Sequence, residues 1–222
     1  SPEIHRRFEE RFNIPIIETM GLTETGSQIT TNPLPPAIRK IGSPGTAFGN
    51  EIMIGDDTLA AVPAGTVGEI LVRGANVMQG YLNQPEETAK TISSDGWLRT
   101  GDLGYLDQDG YVFVSGRIKE LIIKGGENIA PREIDEALLE HEAVLEAAAF
   151  AVPCENYGER VEACIRLKEQ MQASASDLLA HCQTRLGKFK SPDTIHILED
   201  LPKGPSGKVQ RLKLFGLVYP AE

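Results

Sequence analysis

Four stretches of this 222-residue chain are richer in glycine, hydroxyl and charged groups than their surroundings. In Gly21-Leu22-Thr23-Glu24-Thr25-Gly26, backbone amides beside the glycines and the hydroxyls of Thr23 and Thr25 can cradle phosphate oxygens. The Glu24 carboxylate can hold a magnesium ion that those phosphates share. A Thr-rich turn with a solvated glutamate accounts for the same residues. In Gly96-Trp97-Leu98-Arg99-Thr100-Gly101-Asp102-Leu103, a carboxylate just after a glycine turn suits bidentate hydrogen bonding to a ribose diol. Asp102 capping the amides of a turn is the plainer alternative. The third stretch runs from Gly116 to Pro131. It places Arg117 and Lys119 ahead of a short apolar run, and Gly125-Gly126 after it. Paired glycines let a backbone or a ligand approach closely, although a linker, a strand and a turn would read alike. The fourth, Leu201–Arg211, sets Lys208 after Gly207 among further cations. A phosphate loop of the Walker type needs Gly at 202 and Ser or Thr at 209. Pro202 and Val209 stand there, so the chain is no P-loop NTPase.

The elements that must carry these stretches fall into two groups. Ile4, Phe8 and Phe12 recur every four residues, which predicts an amphipathic helix over 2–12. A strand is expected over Ile14–Glu18, followed by a long loop from Thr19 to Pro36. Glu51–Ile54, Glu69–Arg73, Leu103–Leu106 and Tyr111–Ser115 read as strands. Asp107-Gln108-Asp109-Gly110 forms the hairpin turn between the last two. A helix opens at Pro85 and runs to Ile92. Residues 40–116 therefore resemble a small antiparallel barrel or sandwich. Beyond Gly116 the rhythm changes. Leu121–Lys124 reads as a strand, Pro131–His141 as a helix, and Val144–Val152 and Val161–Leu167 as strands. Ser176–Leu186 reads as a helix capped by Ser176, and Thr194–Leu198 as a last strand. The order β-α-β-β-α-β is that of a ferredoxin-like domain. The expected fold is α+β, a barrel-like subdomain over 1–118 and a small domain over 119–222.

Hydrophobic residues make up 41% and charged residues 24% of the chain, an ordinary globular composition. Twenty-two basic and 32 acidic residues give a net charge of -10, which argues against nucleic acid as a partner. The segment Arg185–Lys213 runs against that balance, with seven cations and three anions. Its basic excess suits a phosphorylated small molecule or a solvated surface. No run of 18 apolar residues is present, so no transmembrane segment is expected, and the N-terminus has no apolar signal core. The chain opens on Ser1 rather than methionine, as expected of a piece of something longer. Cys154, Cys164 and Cys182 are widely spaced and form no CxxC, which implies neither a disulfide framework nor a zinc site, and a cytoplasmic setting. His5, His141, His181 and His196 form no metal-binding pattern and read as structural.

Taken in order, these stretches resemble the motifs of the adenylate-forming superfamily, which holds acyl-CoA synthetases, peptide-synthetase adenylation domains and luciferases. Gly21–Gly26 is similar to the family's Gly-x-Thr-Glu motif. Gly68-Glu69-Ile70-Leu71-Val72-Arg73-Gly74 with Gly80-Tyr81-Leu82-Asn83 is similar to the segment that follows it. Arg99–Asp102, Gly116–Pro131 and Pro202–Lys208 match the later motifs. The resemblance implies that Thr23 contacts the α-phosphate of ATP or AMP and that Glu24 binds Mg2+. It implies that Asp102 binds the ribose hydroxyls, that Arg117 supports the same nucleotide, and that Met20 and Gly21 border the adenine. Lys119 would be the hinge of a mobile small domain. Gly125 and Gly126 would border the CoA pantetheine tunnel, with Tyr157-Gly158-Glu159 nearer the CoA end. Lys208 would bridge the carboxylate substrate and the phosphate. The family carries an aromatic residue where Met20 stands; a thioether can lie against a purine face. Its Ser/Thr/Gly-rich phosphate loop ending in lysine does not occur here. The chain is thus expected to be the carboxy-terminal portion of an ATP-dependent acyl-CoA ligase whose N-terminal part lies upstream. A carboxylate, ATP and CoA would be its substrates, and the fragment alone would be inactive. A non-catalytic nucleotide- or CoA-binding module, or a fragment of a peptide-synthetase adenylation domain, is the alternative.

Overall fold

A computed structural model describes residues 2–205 and 207–220. The chain divides into two compact units, Ser1–Ile118 and Lys119–Glu222. The first opens with α1 (Pro2–Phe12) and a three-stranded antiparallel sheet of β1 (Thr19–Leu22), β2 (Ser27–Thr31) and β3 (Thr46–Ala47). A four-stranded antiparallel meander follows, of β4 (Glu51–Gly55), β5 (Gly68–Arg73), β6 (Leu98–Leu106) and β7 (Val112–Arg117), with α2 (Pro85–Thr91) between β5 and β6 in the chain. Ile54, Ile70 and Val112 form its core, and Met20, Leu106 and Val114 pack against them. A single bridge, Gly45↔Val112, joins β7 to the segment entering β3. A Cβ on Gly45 would lie 1.9 Å from the Thr31 backbone, so only glycine permits that approach.

The expected strand at Ile14–Glu18 does not form, because its backbone groups are taken by side chains. Pro15 has no N–H to offer a ladder. The Ile16 N–H donates to Glu9 Oε1 at 2.7 Å, and Arg39 Nη1 donates to the Ile16 carbonyl at 2.9 Å. The expected loop instead contains β1 and β2. Their Thr and Ile residues favour a pleated surface, and Gly26 at φ 63° takes the left-handed corner between them.

The second unit contains β8 (Ile122–Lys124), β9 (Glu127–Ile129), α3 (Pro131–Leu139), β10 (Val144–Cys154), β11 (Gly158–Leu167), α4 (Ala175–Lys190), β12 (Thr194–Ile197) and α5 (Leu214–Val218). The β-α-β-β-α-β order stands, with β9 as an addition. Pairing adds what element order leaves open. The β10–β11 hairpin is antiparallel, β12 runs parallel to β11 from Glu162↔Thr194 to Ile165↔Ile197, and β8 meets β11 at Gly158↔Lys124. Side chains alternate across this sheet. Ala149, Val161, Ala163 and Ile165 face Ile134, Leu138 and Leu178 of α3 and α4. Phe150, Val152 and Cys164 face Leu201, Val209 and Leu214 on the other side. The cap of α4 is Ser174, two residues before the expected Ser176. Its hydroxyl accepts from Asp177 N–H at 3.1 Å, and the Asp177 carboxylate accepts from the Ser174 N–H in return. Gly187, at φ 73°, interrupts the helix just after the expected end at Leu186. Burial pushes the Cys164 and Cys182 thiols up to about 11, which makes them inert packing groups near neutral pH. No described helix is long and apolar enough to cross a membrane.

The tether of α1 depends on pH. The Arg39 hydrogen bond, then the Ile16 amide, hold the Glu9 carboxyl down at about 2 from an ordinary 4.5. A folded-state value below the unfolded one stabilises above the unfolded value and is lost on acidification through the folded one. The tether is therefore expected to weaken as pH falls from 4.5 to about 2. The Ile16 amide resonance followed by NMR should titrate with a midpoint at about 2 in the native chain. In Glu9→Gln it should show no such step.

Candidate functional site

In the first unit, Thr23–Thr25 form one 3-10 turn between β1 and β2, closed by Gly26. Thr25 is buried and its hydroxyl is spent within the turn. It donates to the Leu22 carbonyl at 3.0 Å and accepts from the Leu22 N–H at 3.3 Å. Of the two threonines expected to face a phosphate, Thr23 alone is exposed. Glu24 is half-buried. Its Oε1 accepts from the Tyr81 hydroxyl at 3.0 Å, and its carbonyl accepts from the Met78 N–H at 2.7 Å. Burial and the Glu24 carboxylate both push the Tyr81 phenol above its ordinary value, so it stays a donor. Tyr81 was legible only as part of a motif; its grip on Glu24 needs the fold. An open groove of about 560 Å³ includes Tyr81, Pro85 and Ile92 in its walls, but not Thr23, Glu24 or Asp102.

Among the described residues no group of three or more His, Cys, Asp or Glu side chains could hold a metal on protein ligands. Glu24 offers a single carboxylate. That donor set fits Mg2+, which keeps most of its waters and is shared with substrate phosphates. Met20 is half-buried and packs against the Ile54–Ile70–Val112 core, while Gly21 lies beside it at a β-bulge.

Asp102 sits in β6 opposite Arg117 of β7. Its Oδ1 accepts from Arg117 Nε at 2.7 Å; the carboxylate is buried and the guanidinium exposed. The preceding residue, Gly101, has φ 72°, and the β5–β6 register slips between Glu69 and Leu71. Such a bulge re-aims the side chain that follows it. Glu69 holds the bulge from below. This buried carboxylate accepts from Gly101 N–H at 3.0 Å and from Arg99 Nε at 2.8 Å. Sequence reading passed over Glu69, although a lone charge inside Gly-Glu-Ile-Leu-Val is its signal.

The second unit carries the remaining candidates. Lys119 is exposed, in the 3-10 turn Ile118–Glu120. Gly125 and Gly126, at φ 61° and 85°, make the two-residue turn joining β8 to β9. Positive φ at both central positions is the demand of a type I′ hairpin. The Gly125 N–H donates to the Tyr157 carbonyl at 2.8 Å, and Glu159 Oε2 accepts from the Ile123 N–H at 2.6 Å. Below the turn lies Lys124, buried, with its ammonium 3.2 Å from Asp193 and 5.4 Å from the centre of the Phe189 ring. Lys208 is exposed near the tip of a small hairpin whose legs pair at Lys203↔Val209. Its carbonyl accepts from the Gly204 N–H at 2.8 Å. Ser206 lies outside the described residues. Glycines at 204 and 207 would suit a flexible loop; the bridge and the packing of partly buried Val209 against Leu201 and Leu214 instead give it a fixed stem.

Known proteins share this arrangement. The family model for the AMP-binding enzyme matches residues 1–82, and that for the AMP-binding enzyme C-terminal domain matches residues 133–208. A sulfoacetate–CoA ligase of Cupriavidus necator is 54% identical over 96% of this chain and 42% of its own length. An oxalate–CoA ligase of Saccharomyces cerevisiae is 40% identical over 95% of this chain and 39% of its own. The crystal structure of ATP-bound MatB from Rhodopseudomonas palustris superposes with a TM-score of 0.92 at 34% identity, covering 98% of this chain and 44% of that one. The chain spans about two-fifths of the length of the curated relatives it matches.

Glycines at these turns serve different ends, and substitution separates them. A Cβ on Gly21 would fall 2.0 Å from the Ser27 carbonyl oxygen, so Gly21→Ala must push β1 from β2, at a cost of about 1–3 kcal/mol. A Cβ on Gly126 would meet nothing within 4 Å. Gly126→Ala should cost only its left-handed backbone, about 1 kcal/mol. Urea denaturation of the two variants should show the larger fall in midpoint for Gly21→Ala.

Proposed function

Since the chain belongs to the adenylate-forming superfamily of AMP-binding enzymes, we propose that it is the carboxy-terminal portion of an acid–CoA ligase. That enzyme joins a carboxylate to AMP, releases pyrophosphate, and passes the acyl group to CoA. One observation carries the two-step reading. Within the second unit, the β8–β9 hairpin that bears Gly125 and Gly126 contributes Ile122 and Ile129 to the helical face of the sheet. The hairpin that bears Lys208 packs through Val209 on the opposite face. The Gly125–Gly126 turn, at the end of a hairpin within the sheet, and the Lys208 hairpin, packed on the face away from the helices, are thus separate sites on one unit, as two successive reactions would require.

In this reading residues 1–118 are the end of the large nucleotide-binding domain, residues 119–222 are the mobile small domain, and Lys119 is the hinge. Asp102 receives the ribose diol, held in place by Arg117 and by the Glu69-braced bulge. Thr23 donates to the α-phosphate. Met20 and Gly21 border the adenine, Met20 with the part of its side chain left outside the core. Glu24, oriented by Tyr81, contributes one oxygen to Mg2+, which when bound neutralises phosphate charge. Lys208 brings its ammonium to the oxygens of the carboxylate and the α-phosphate as the bond between them forms. The Gly125–Gly126 turn leaves a side-chain-free wall for the pantetheine arm of CoA. The acids named for the relatives, sulfoacetate, oxalate and 2-succinylbenzoate, all carry a second anionic group. We propose a small acid of that kind as the substrate.

The 222-residue chain alone lacks the Ser/Thr/Gly-rich phosphate loop. Charge-assisted hydrogen bonds of that sort are worth about 1.5–3 kcal/mol each. The isolated chain is expected to fold, to bind ATP at millimolar strength or weaker by calorimetry, and to catalyse no ATP–pyrophosphate exchange. Robust exchange by these residues would make the missing loop dispensable.

For the whole enzyme the decisive variant is Lys208→Ala. Losing one positioned charge at a developing oxyanion costs about 10²–10³ in rate. Adenylate formation should fall by on the order of 10² or more, whereas thioester formation started from synthetic acyl-adenylate should stay near wild type. Single-turnover assays of the two steps distinguish this from a surface lysine, which would leave the first step unchanged. An equal fall in both steps would also remove Lys208 from the proposed role.

A further inference from the structure

A buried ion cluster in the second unit lies three residues beyond Lys208 and belongs to no role assigned above. Arg211 begins a 3-10 turn after the Lys208 hairpin, and only 14% of its side chain is exposed. Its guanidinium is used on every side. Nε donates to Glu120 Oε2 at 2.9 Å, Nη2 donates to Asp135 Oδ2 at 2.7 Å, and Nη1 donates to the Ala149 carbonyl. Asp135, buried on α3, also accepts the Ala149 N–H on Oδ1 at 2.6 Å. A planar fork of five donors fits this set of acceptors; an ammonium does not. The cluster therefore ties four parts of the unit to one charge: the junction turn at Glu120, helix α3, strand β10 and the exit of the Lys208 hairpin.

The other leg of the hairpin is held as well. Lys203 Nζ donates to Glu146 at 3.0 Å and to Asp200 at 2.7 Å, and the Gln210 N–H donates to the Pro202 carbonyl at 2.7 Å. With both legs fixed, Lys208 stands on a stiff stem.

From this geometry we infer that Arg211 is a positioning residue for Lys208. Through Asp135 and Glu120 it sets the hairpin in a fixed relation to the junction turn, so that any turn of the backbone at Lys119 is delivered to the Lys208 ammonium. The inference rests on the proposed adenylating role of Lys208. It requires nothing of Arg211 in the thioester step, since the guanidinium touches no part of the Gly125–Gly126 hairpin. A misplacement of about 1 Å at a reacting group can cost 10²-fold.

The test uses the full-length ligase with Arg211→Lys, Glu120→Gln and, as reference, Lys208→Ala. Arg211→Lys keeps the charge and loses the fork. Glu120→Gln, at a half-buried position, leaves the Arg211–Asp135 pair intact and guards against a variant that fails to fold. Adenylate formation should fall about tenfold or more in Arg211→Lys and less in Glu120→Gln. Thioester formation from synthetic acyl-adenylate should stay within about twofold, and KM for ATP should hold steady while kcat drops. Hydrogen exchange at the Gly204 and Gln210 amides should quicken in Arg211→Lys. A purely structural role would lower both half-reactions together or move only the melting temperature, and either result overturns the inference. If Lys208→Ala abolishes adenylation while both other variants retain it, the inference fails and the proposed function stands. If Lys208→Ala leaves adenylation intact, the proposed role of Lys208 fails first.

Discussion

Carboxylates taken out of water and answered by guanidinium groups are what the candidate-site turns of this chain rest on. Glu69 lies under the bulge that aims Asp102, and Asp135 lies under the hairpin that carries Lys208. Both are buried, and both share an arginine with a backbone amide. Burying such a carboxylate beside an arginine yields little net stability, because its desolvation offsets most of the attraction. Its effect is on geometry. A desolvated carboxylate left without its arginine is strongly unfavourable, so alternative backbone paths that separate the partners are penalised. The turns are short and polar, and little apolar surface fixes them beyond Val209 under the Lys208 hairpin. Ion pairs beneath them supply the definition that packing supplies elsewhere.

Around these anchors the glycines divide the remaining work. Gly21 and Gly45 are demanded by close backbone approach, and Gly101, Gly125 and Gly126 by left-handed dihedrals. The consequence for a ligand differs. A glycine crowded by its own chain shapes the scaffold. A glycine whose missing Cβ would point into open space, as at Gly126, leaves a surface that something else can approach. Gly125 is intermediate, since a Cβ there would sit 3.3 Å from the Tyr157 ring. The two halves of one turn thus face different surroundings, one the protein and one solvent.

What could be read in the sequence follows from where the signal is local. Pro131 opening α3, the alternation along β10 and β11, and the change of rhythm after Gly116 are all local, and they predicted the order of elements in the second unit. The β8–β9 hairpin was half legible: the paired glycines suit a ligand's approach or a turn after a strand, but the return strand Glu127–Ile129 begins with two polar residues and carries no apolar run to announce it. Ile14–Glu18 shows the opposite failure. Its apolar pattern is that of a strand, yet its hydrogen bonds go to Glu9 in the preceding helix and to Arg39, 23 residues beyond Ile16. No propensity records such a partner. Lys208 was legible because glycines mark its loop, whereas Arg211 beside it looked like one more surface cation in a basic stretch. Its burial depends on Asp135, 76 residues away.

That last separation bears on how one small unit would serve the two proposed reactions. The sheet of the second unit is thin, with apolar clusters on both of its faces. Elements on its two sides are therefore held at a fixed spacing by close-packed side chains, which resist compression. The Gly125–Gly126 turn belongs to the sheet itself, and the Lys208 hairpin is joined to the sheet through Val209 and the Arg211 network. If both act on one acyl group, the unit must turn as a body, and the freedom to do so has to reside in the few residues before its core begins. Lys119 is exposed, and Glu120 is already fastened to Arg211. Glu120 is thus the first residue of the unit that the buried Arg211 cluster fixes, and under the proposed rotation a turn about Lys119 would carry the whole unit with it.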